Sequence, residues 1–334
     1  MSDTPGMADP QDAIPTFASR LPLARAALDR DHLGRAGGID ALLDDARTRA
    51  IVLHEGKALL ASPTRLAILP PTIVPQAALA VYLGRTIADA PDLAAGTPIV
   101  ALAVDAPEGF DELDDMPTGP AQWGDLRRIG SRLDERDAGL FTQALAILNW
   151  HSVSRFSPRA GVETEPALAG WVRRDPDGAE YYPRTDAAVI VGVIDQDDRL
   201  LLGSNAQWEE KRFSILAGFV EPGESLEAAV IREVHEESGI RVEHPRYLGS
   251  QPWPFPASLM VGFEARVPAG ADTEPRADGE EIRALRWFTR DELAAAVAAR
   301  EVILPGPTSI ARVIVEHWFG AEIDDGSRGD SGAR

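Results

Sequence analysis

The sequence contains no cysteine. That one absence excludes disulfides, thiolate zinc sites and a cysteine nucleophile. Basic residues are also scarce: 33 Lys+Arg against 53 Asp+Glu give a net charge of −20. A surface this negative repels phosphate backbones except where arginines gather locally, so general nucleic-acid coating is excluded. No apolar run reaches the ~20 residues that span a bilayer. The opening stretch MSDTPGMADPQDAIP lacks the basic-then-apolar order of a signal peptide, so a cytoplasmic location without a membrane partner is expected. Neither GxxxxGK[ST] nor GxGxxG occurs, which removes P-loop and Rossmann nucleotide binding. The six histidines, His32, His54, His151, His235, His244 and His317, show no metal-ligand spacing.

What is present suits two compact domains: 334 residues, 44% of them hydrophobic. Residues 1–15 and 320–334 are polar and rich in small side chains, and both ends are expected to be disordered. Asp105–Gln122 collects acids and prolines, as an exposed linker does. Ala50–Ala61 reads as an apolar hairpin turning at His54–Lys57, and Ile99–Val104 as a further strand. A second such hairpin spans Ala187–Gly203 with its turn at Asp195–Asp198. Duplication and chance explain that repeat about equally well. Leu140, Phe141, Ala144, Leu145 and Leu148 follow helical spacing, predicting a helix that connects the two halves. Thr289 and Glu292 form a capping-box signature, and Gly320 is placed to end a last helix. Strands alternating with helices predict an α/β or α+β sandwich.

The chemistry sits in Gly218–Ile240, GFVEPGESLEAAVIREVHEESGI. On a helix, Glu233, Glu236 and Glu237 fall at i, i+3 and i+4, predicting three carboxylates on one face. Their mutual repulsion calls for a counterion, and hard oxygen donors suit Mg²⁺ or Mn²⁺. Leu226, Val230 and Val234 repeat on the other face and predict an anchor to a sheet. The stretch resembles the Nudix box, G-x5-E-x7-R-E-U-x-E-E-x-G-U, at every specified position: Gly218, Glu224, Arg232, Glu233, Val234, Glu236, Glu237, Gly239 and Ile240. Seven fixed residues at about 7% frequency each give a chance match of about 10⁻⁸ per window. The resemblance implies a Nudix α/β/α sandwich and hydrolysis of a nucleoside diphosphate linked to another group. It also implies metal ligands at Glu233, Glu236, Glu237 and the Ala217 carbonyl, with Glu224 and Arg232 pairing to hold the loop against the helix.

Downstream, Ser250–Ser258 reads SQPWPFPAS. Three prolines in five residues predict a shaped loop in place of a strand. Trp253 and Phe255 on it are candidates for stacking on a purine or nicotinamide and Gln251 for bonding a base or ribose, with a packed hydrophobic loop as the other reading. This array is similar to that of the NADH pyrophosphatase branch of the Nudix family, as are Tyr182–Asp186, Leu126-Arg127 and Leu304–Ala311. The likeness implies cleavage of NAD(H) to AMP and nicotinamide mononucleotide, removal of NAD caps from RNA, and a homodimer. It further implies substrate contacts from Arg127, Tyr182, Phe219, the loop residues Gln251, Pro252, Trp253, Pro254, Phe255, Pro256, Ala257 and Ser258, and the backbone of Ala311. Glu281 matches a remote metal-binding glutamate, one register step from Glu280. Wider action on ADP-ribose or dinucleoside polyphosphates, and a sensor that binds NAD without turnover, are the competing expectations.

The chain departs from that branch where a zinc ribbon normally stands. Ser157, Ala160, Asp175 and Gly178 occupy the four cysteine positions, so no zinc is expected and a ribbon packed by Phe156 and Trp171 is predicted instead. The expected organisation is then a Nudix-like domain at 16–122, a connecting helix at 123–155, a zinc-free ribbon at 156–183 and a catalytic domain at 184–319.

Overall fold

A computed structural model describes residues 16–25, 27–75, 77–110 and 121–326. The expected disorder of residues 1–15 and 327–334 and most of the acidic linker lie outside them. The first region builds a mixed sheet from β1 (Leu28–Asp29), β2 (Arg49–His54), β3 (Lys57–Ser62), β4 (Arg65–Leu66), β5 (Ala77–Thr86), β6 (Pro98–Val104) and β7 (Gln122–Asp125), with a short helix α1 (Gly38–Leu43). Its order is β1-β5-β6-β2-β3-β4, β7 adding to β3, and β2 and β6 run parallel. The hairpin read at 50–61 is β2–β3, turning through Glu55 and Gly56 in the left-handed region, as a two-residue turn requires.

Helix α2 (Leu126–Ile129) leads into α3 (Glu135–Val153), which starts where the Asp134 side chain accepts the N–H of Asp137. The helix expected to connect two halves is part of the first core: Leu140, Phe141, Ala144 and Leu145 pack with Ile51, Leu53, Val81 and Ala101 of the sheet. The linker expectation also shortens, because Phe110 is fully buried beside Val52, Leu59 and Leu69 and meets Trp123 edge to face at 5.5 Å.

A small sheet follows: β8 (Glu165–Ala167), β9 (Val172–Arg174) and β10 (Glu180–Tyr181). Its turns are joined by hydrogen bonds at two of the four cysteine-like positions. The Ser157 hydroxyl lies 2.7 Å from the Tyr181 hydroxyl, which donates to Asp175 at 2.9 Å. Phe156 does not pack this ribbon. It is 59% exposed, whereas Trp171 donates to the Tyr82 carbonyl at 2.7 Å and carries the Arg35 guanidinium 3.6 Å above its ring. The composition signalled a core aromatic, but position 156 lies in an exposed β-bridge with Glu163.

The second sheet has the order β14-β15-β11-β12-β16, built from β11 (Asp186–Ile194), β12 (Leu200–Asn205), β14 (Glu243–Trp253), β15 (Ser258–Arg266) and β16 (Ile282–Phe288), with β13 (Leu216–Phe219) pairing β11. Along β11, Val189, Val191 and Val193 pack under α4 (Leu226–Ser238). Ile190 and Ile194 face the other side with α5 (Arg290–Ala298) and α6 (Ile310–Phe319). Strand alternation therefore gives the three-layer α/β/α arrangement. The capping box of α5 forms in both directions between Thr289 and Glu292, and Gly320 ends α6 at φ 88.

Two boundaries differ from expectation. Leu21 and Phe17 pack against the second core, Phe17 lying 5.4 Å from the His317 ring, so the start of the described chain belongs with the second sheet's layers. The tail expected to be disordered from Gly320 is held as far as Ile323, which is 5% exposed. The fully buried Arg312 donates to the Ile323 carbonyl and pairs with Glu316 and Asp325. Among the described residues no helix is long and apolar enough to cross a membrane.

Candidate active site

Helix α4 begins at Ser225, whose side chain accepts the N–H of Ala228, and ends at Gly239 in the left-handed region, φ 71. Ala229, Val230 and Val234 are fully buried against the sheet. Removing each valine from water contributes about 2 kcal/mol, which fixes the rotation of the helix and hence the direction of its acids.

The three glutamates do not share one environment. Glu233 and Glu237, four residues apart, turn toward β13, while Glu236 is mostly exposed and pairs with Arg232 at 2.9 Å. Residues i+3 and i+4 differ by about 100° on a helix, and burial separates them. Arg232 is the hub of the loop. It binds both oxygens of Glu224 at 2.8 Å, the Phe219 carbonyl at 3.0 Å, and Glu233 at 2.9 Å. Glu224 and Arg232 thus fasten the box loop to the helix, as the resemblance implies.

Glu237 is the most constrained acid. It is 5% exposed, its carboxylate accepts a hydrogen bond from the Ala217 backbone, and its Oε2 is buried with no hydrogen-bond partner. Burial first, then the charges of Glu233, Glu281 and Asp278, push its pKa up to about 8. Burial also raises Glu233, with Arg232 opposing it. The acid of the β16 loop whose charge acts on both groups is Glu281. Asp278, which the sequence pattern does not single out, accepts the N–H groups of Glu280, Glu281 and Ile282 and so shapes the loop that carries Glu281. A lone Asp before Gly-Glu-Glu carries no sequence signal stronger than a turn.

Gly218 has a steric reason to be glycine. A Cβ there would stand 2.0 Å from the Glu233 carboxyl carbon, so only a bare backbone lets that acid lie against β13. Among the described residues no three His, Cys, Asp or Glu side chains already close on a metal position. At α4, Arg232 occupies Glu233 and Glu236. The donor set still fits a hard divalent cation: a buried, unpartnered carboxylate oxygen, a second half-buried carboxylate, and a third acid on the facing loop.

Phe219 is 61% and Tyr182 is 63% exposed, each presenting a free ring. The register places Phe219 across β11 from the strand that leaves the β14–β15 tip. Ala188 lies opposite Phe219, Asp186 lies opposite Ser258, and the Asp186 N–H donates to the Ala257 carbonyl. The tip is not the free loop expected from its prolines. Gln251, Pro252 and Trp253 continue β14 opposite Met260, Leu259 and Ser258, because β14 is an edge strand where a proline's missing N–H leaves no partner unsatisfied.

Trp253 and Phe255 meet edge to face at 4.9 Å and pack against the first domain's core, and Arg127 lies 3.8 Å over the Phe255 ring. The packed reading of those rings therefore holds. Gln251 is turned away from any ligand: it is 0% exposed, accepting from Leu23 N–H and donating to the Thr308 carbonyl. The Ala311 N–H is likewise committed, donating to the capping hydroxyl of Ser309, and Ala311 lies in the core. Pro254 and Pro256 flank Phe255 in the turn, and Phe255-Pro256 is a cis peptide.

Comparison with known proteins agrees with this geometry. A NUDIX domain model matches residues 183–305, and a model described as an NADH pyrophosphatase-like rudimentary NUDIX domain matches residues 47–150. The NAD-capped RNA hydrolase NudC of Mycobacterium bovis is 44% identical over 294 residues, 85% of this chain and 87% of that one. The NudC of Mycobacterium tuberculosis is 43% identical over the same shares. The chain belongs to the Nudix hydrolase family. The human NAD-capped RNA hydrolase NUDT12 is 38% identical over 201 residues, covering 56% of this chain and 43% of that one. Within the Nudix architecture, the site described above lies in the domain with the complete box, and the rudimentary domain supplies Arg127 and the surface under Trp253 and Phe255.

Proposed function

We propose that this Nudix protein hydrolyses the diphosphate of NAD(H) to AMP and nicotinamide mononucleotide, and that it releases the same cap from RNA 5′ ends. The observation that carries the chemistry is the buried, unpartnered oxygen of Glu237 facing the charges of Glu233 and Glu281. Three acids so placed, Glu233, Glu237 and Glu281, with the Ala217 carbonyl are the proposed holders of a divalent cation, Mg²⁺ or Mn²⁺, and the more exposed Glu236 is a proposed fourth. Such an ion neutralises diphosphate charge and lowers the pKa of a bound water.

The protein's own part is positional. Arg232 holds the box loop by Glu224 and the Phe219 carbonyl, keeping the Phe219 ring outward where a flat base or nicotinamide stacks. Tyr182 offers the second ring, oriented by its hydroxyl donating to Glu180 at 2.7 Å. The names of the relatives support the substrate, and the exposed Phe219 and Tyr182 rings support a ligand with flat groups. In this proposal the protein acts as a cytoplasmic homodimer, with domains as laid out from the sequence except for the two boundary shifts above.

The test is chromatographic analysis of products from NADH with Mg²⁺ or Mn²⁺, beside ADP-ribose. AMP plus reduced nicotinamide mononucleotide, formed well ahead of ADP-ribose cleavage, supports the proposal. Equal rates indicate a general nucleoside-diphosphate hydrolase, and no turnover on either indicates a binder.

A further inference from the structure

The turn Trp253–Ser258 leads into β15 where Ser258 lies opposite Asp186, two residues along β11 from the partner of Phe219, yet its shape is set by the other domain. Its Trp253 and Phe255 side chains pack with Leu148 on the cluster that holds Leu140, Phe141, Leu145 and Ile147 of α3. One polar contact fixes the turn to that helix: Asn149 Nδ2 donates to the Pro254 carbonyl at 2.9 Å, across a sequence separation of 105 residues. Pro254 lies in the turn beyond the last β14–β15 pair, Trp253 with Ser258, so its carbonyl has no ladder partner and takes a donor from elsewhere. The neighbouring Phe255 N–H closes back on the Trp253 carbonyl at 2.7 Å, so the Asn149 bond holds a turn that is already folded.

We propose that Asn149 is a positioning residue for the substrate, acting from the rudimentary domain through the Pro254 carbonyl to set the Trp253–Ser258 turn relative to the Phe219 ring across β11. The inference rests on the functional reading given above. It gives the domain without a box a defined role, in which its helix fixes one wall of the catalytic domain's binding surface. Asn149 touches neither the acids nor Arg232, so it affects binding of the non-reacting part of the substrate and leaves the bond-breaking step alone. Such a residue changes KM with kcat preserved.

The same helix contains its own control. Gln143 donates through its side-chain amide to the Leu83 carbonyl at 2.6 Å, a bond of the same kind that stays inside the first domain. Asn149→Asp and Asn149→Ala are to be compared with Gln143→Met for NADH kinetics, melting temperature and amide exchange at Phe255. Loss of the Asn149 bond is expected to raise the KM for NADH about fivefold, the equivalent of one hydrogen bond, with kcat within about twofold. Exchange at Phe255 should quicken in the same variants. Gln143→Met is expected to lower the melting temperature while leaving KM and Phe255 exchange unchanged.

An unchanged KM in folded Asn149 variants overturns the positioning role, and so does an equal KM rise in Gln143→Met, which marks a merely structural effect. Wild-type protein that does not cleave NADH refutes the functional reading. Faster Phe255 exchange in that case leaves only a structural clamp and overturns the positioning role with it.

Discussion

The two sheets of this molecule are built to one plan and do different work. In the first, β5-β6-β2-β3 surround a parallel pair, and in the second β14-β15-β11-β12 do the same, each with an antiparallel hairpin following the first strand of that pair. The divergence is in the crossover. Between β4 and β5 the chain makes only a short 3-10 turn at Pro71–Ile73, whereas between β13 and β14 it makes α4 with Glu233, Glu236 and Glu237. One sheet carries acids on a pinned helix, and the other covers the matching space with Phe110, Trp123 and Ile73. The scaffold is thus separable from the chemistry. The hydrophobic alternation of the strands specifies the sheet, and a single inserted helix makes it a site.

The comparison breaks hardest at Gly218. Gly218→Val is expected to displace Glu233 and cut turnover by about two orders of magnitude or more, since an acid moved from its position no longer stabilises the transition state. Steady-state kinetics with circular dichroism to verify folding checks this. A change of the opposite kind belongs in the first sheet. Asp137 is fully buried, accepts the Leu66 N–H at 2.8 Å and pairs with Arg136 at 2.9 Å. Asp137→Ala is expected to cost about 1–3 kcal/mol in denaturant unfolding by orphaning those donors, with kcat of the folded protein within about twofold.

The smallest expected effect is a pH dependence where α3 meets the ribbon. His151 is buried, its Nε2 donates to the Gly170 carbonyl at 2.7 Å, and its Nδ1 accepts from Arg173 at 3.0 Å. Burial lowers its pKa, the Gly170 carbonyl opposes that, and the Arg173 charge lowers it again. A depressed pKa means that the folded state favours the neutral ring. The contribution to stability is therefore full above the unfolded-state value of about 6.5 and is lost as the pH falls through the lower folded value. Melting temperature should drop more between pH 7.5 and 5.5 in wild type than in His151→Gln; parallel curves would contradict it.

Much of this was legible in the residues. The β2–β3 and β11–β12 hairpins, the Thr289–Glu292 box and the Gly320 cap are local, and local chemistry determines them. The box located α4 and the Glu224–Arg232 pair for the same reason. What escaped was set by tertiary neighbours. Pro252 lies in a strand because β14 is an edge, which no single segment reveals. Gln251 is buried because Leu23 and Thr308 meet there, and Glu236 parts from Glu237 because packing fixes the rotation of α4. Phe110 and Ile323 are buried from segments whose composition reads as exposed. Asn149 and Asp278 act on partners that sequence distance or plain turn composition conceals.

In the proposed function, the buried carboxylate of Glu237, on the helix that one sheet has and the other lacks, carries metal-dependent cleavage of NAD(H). The most direct measurement is NADH turnover by Glu237→Gln beside wild type in Mg²⁺, with melting temperature recorded for both. Because glutamine keeps the volume and removes a charge that burial and its neighbours disfavour, kcat is expected to fall by about three orders of magnitude while the melting temperature holds or rises. Near wild-type turnover in the folded variant would contradict it.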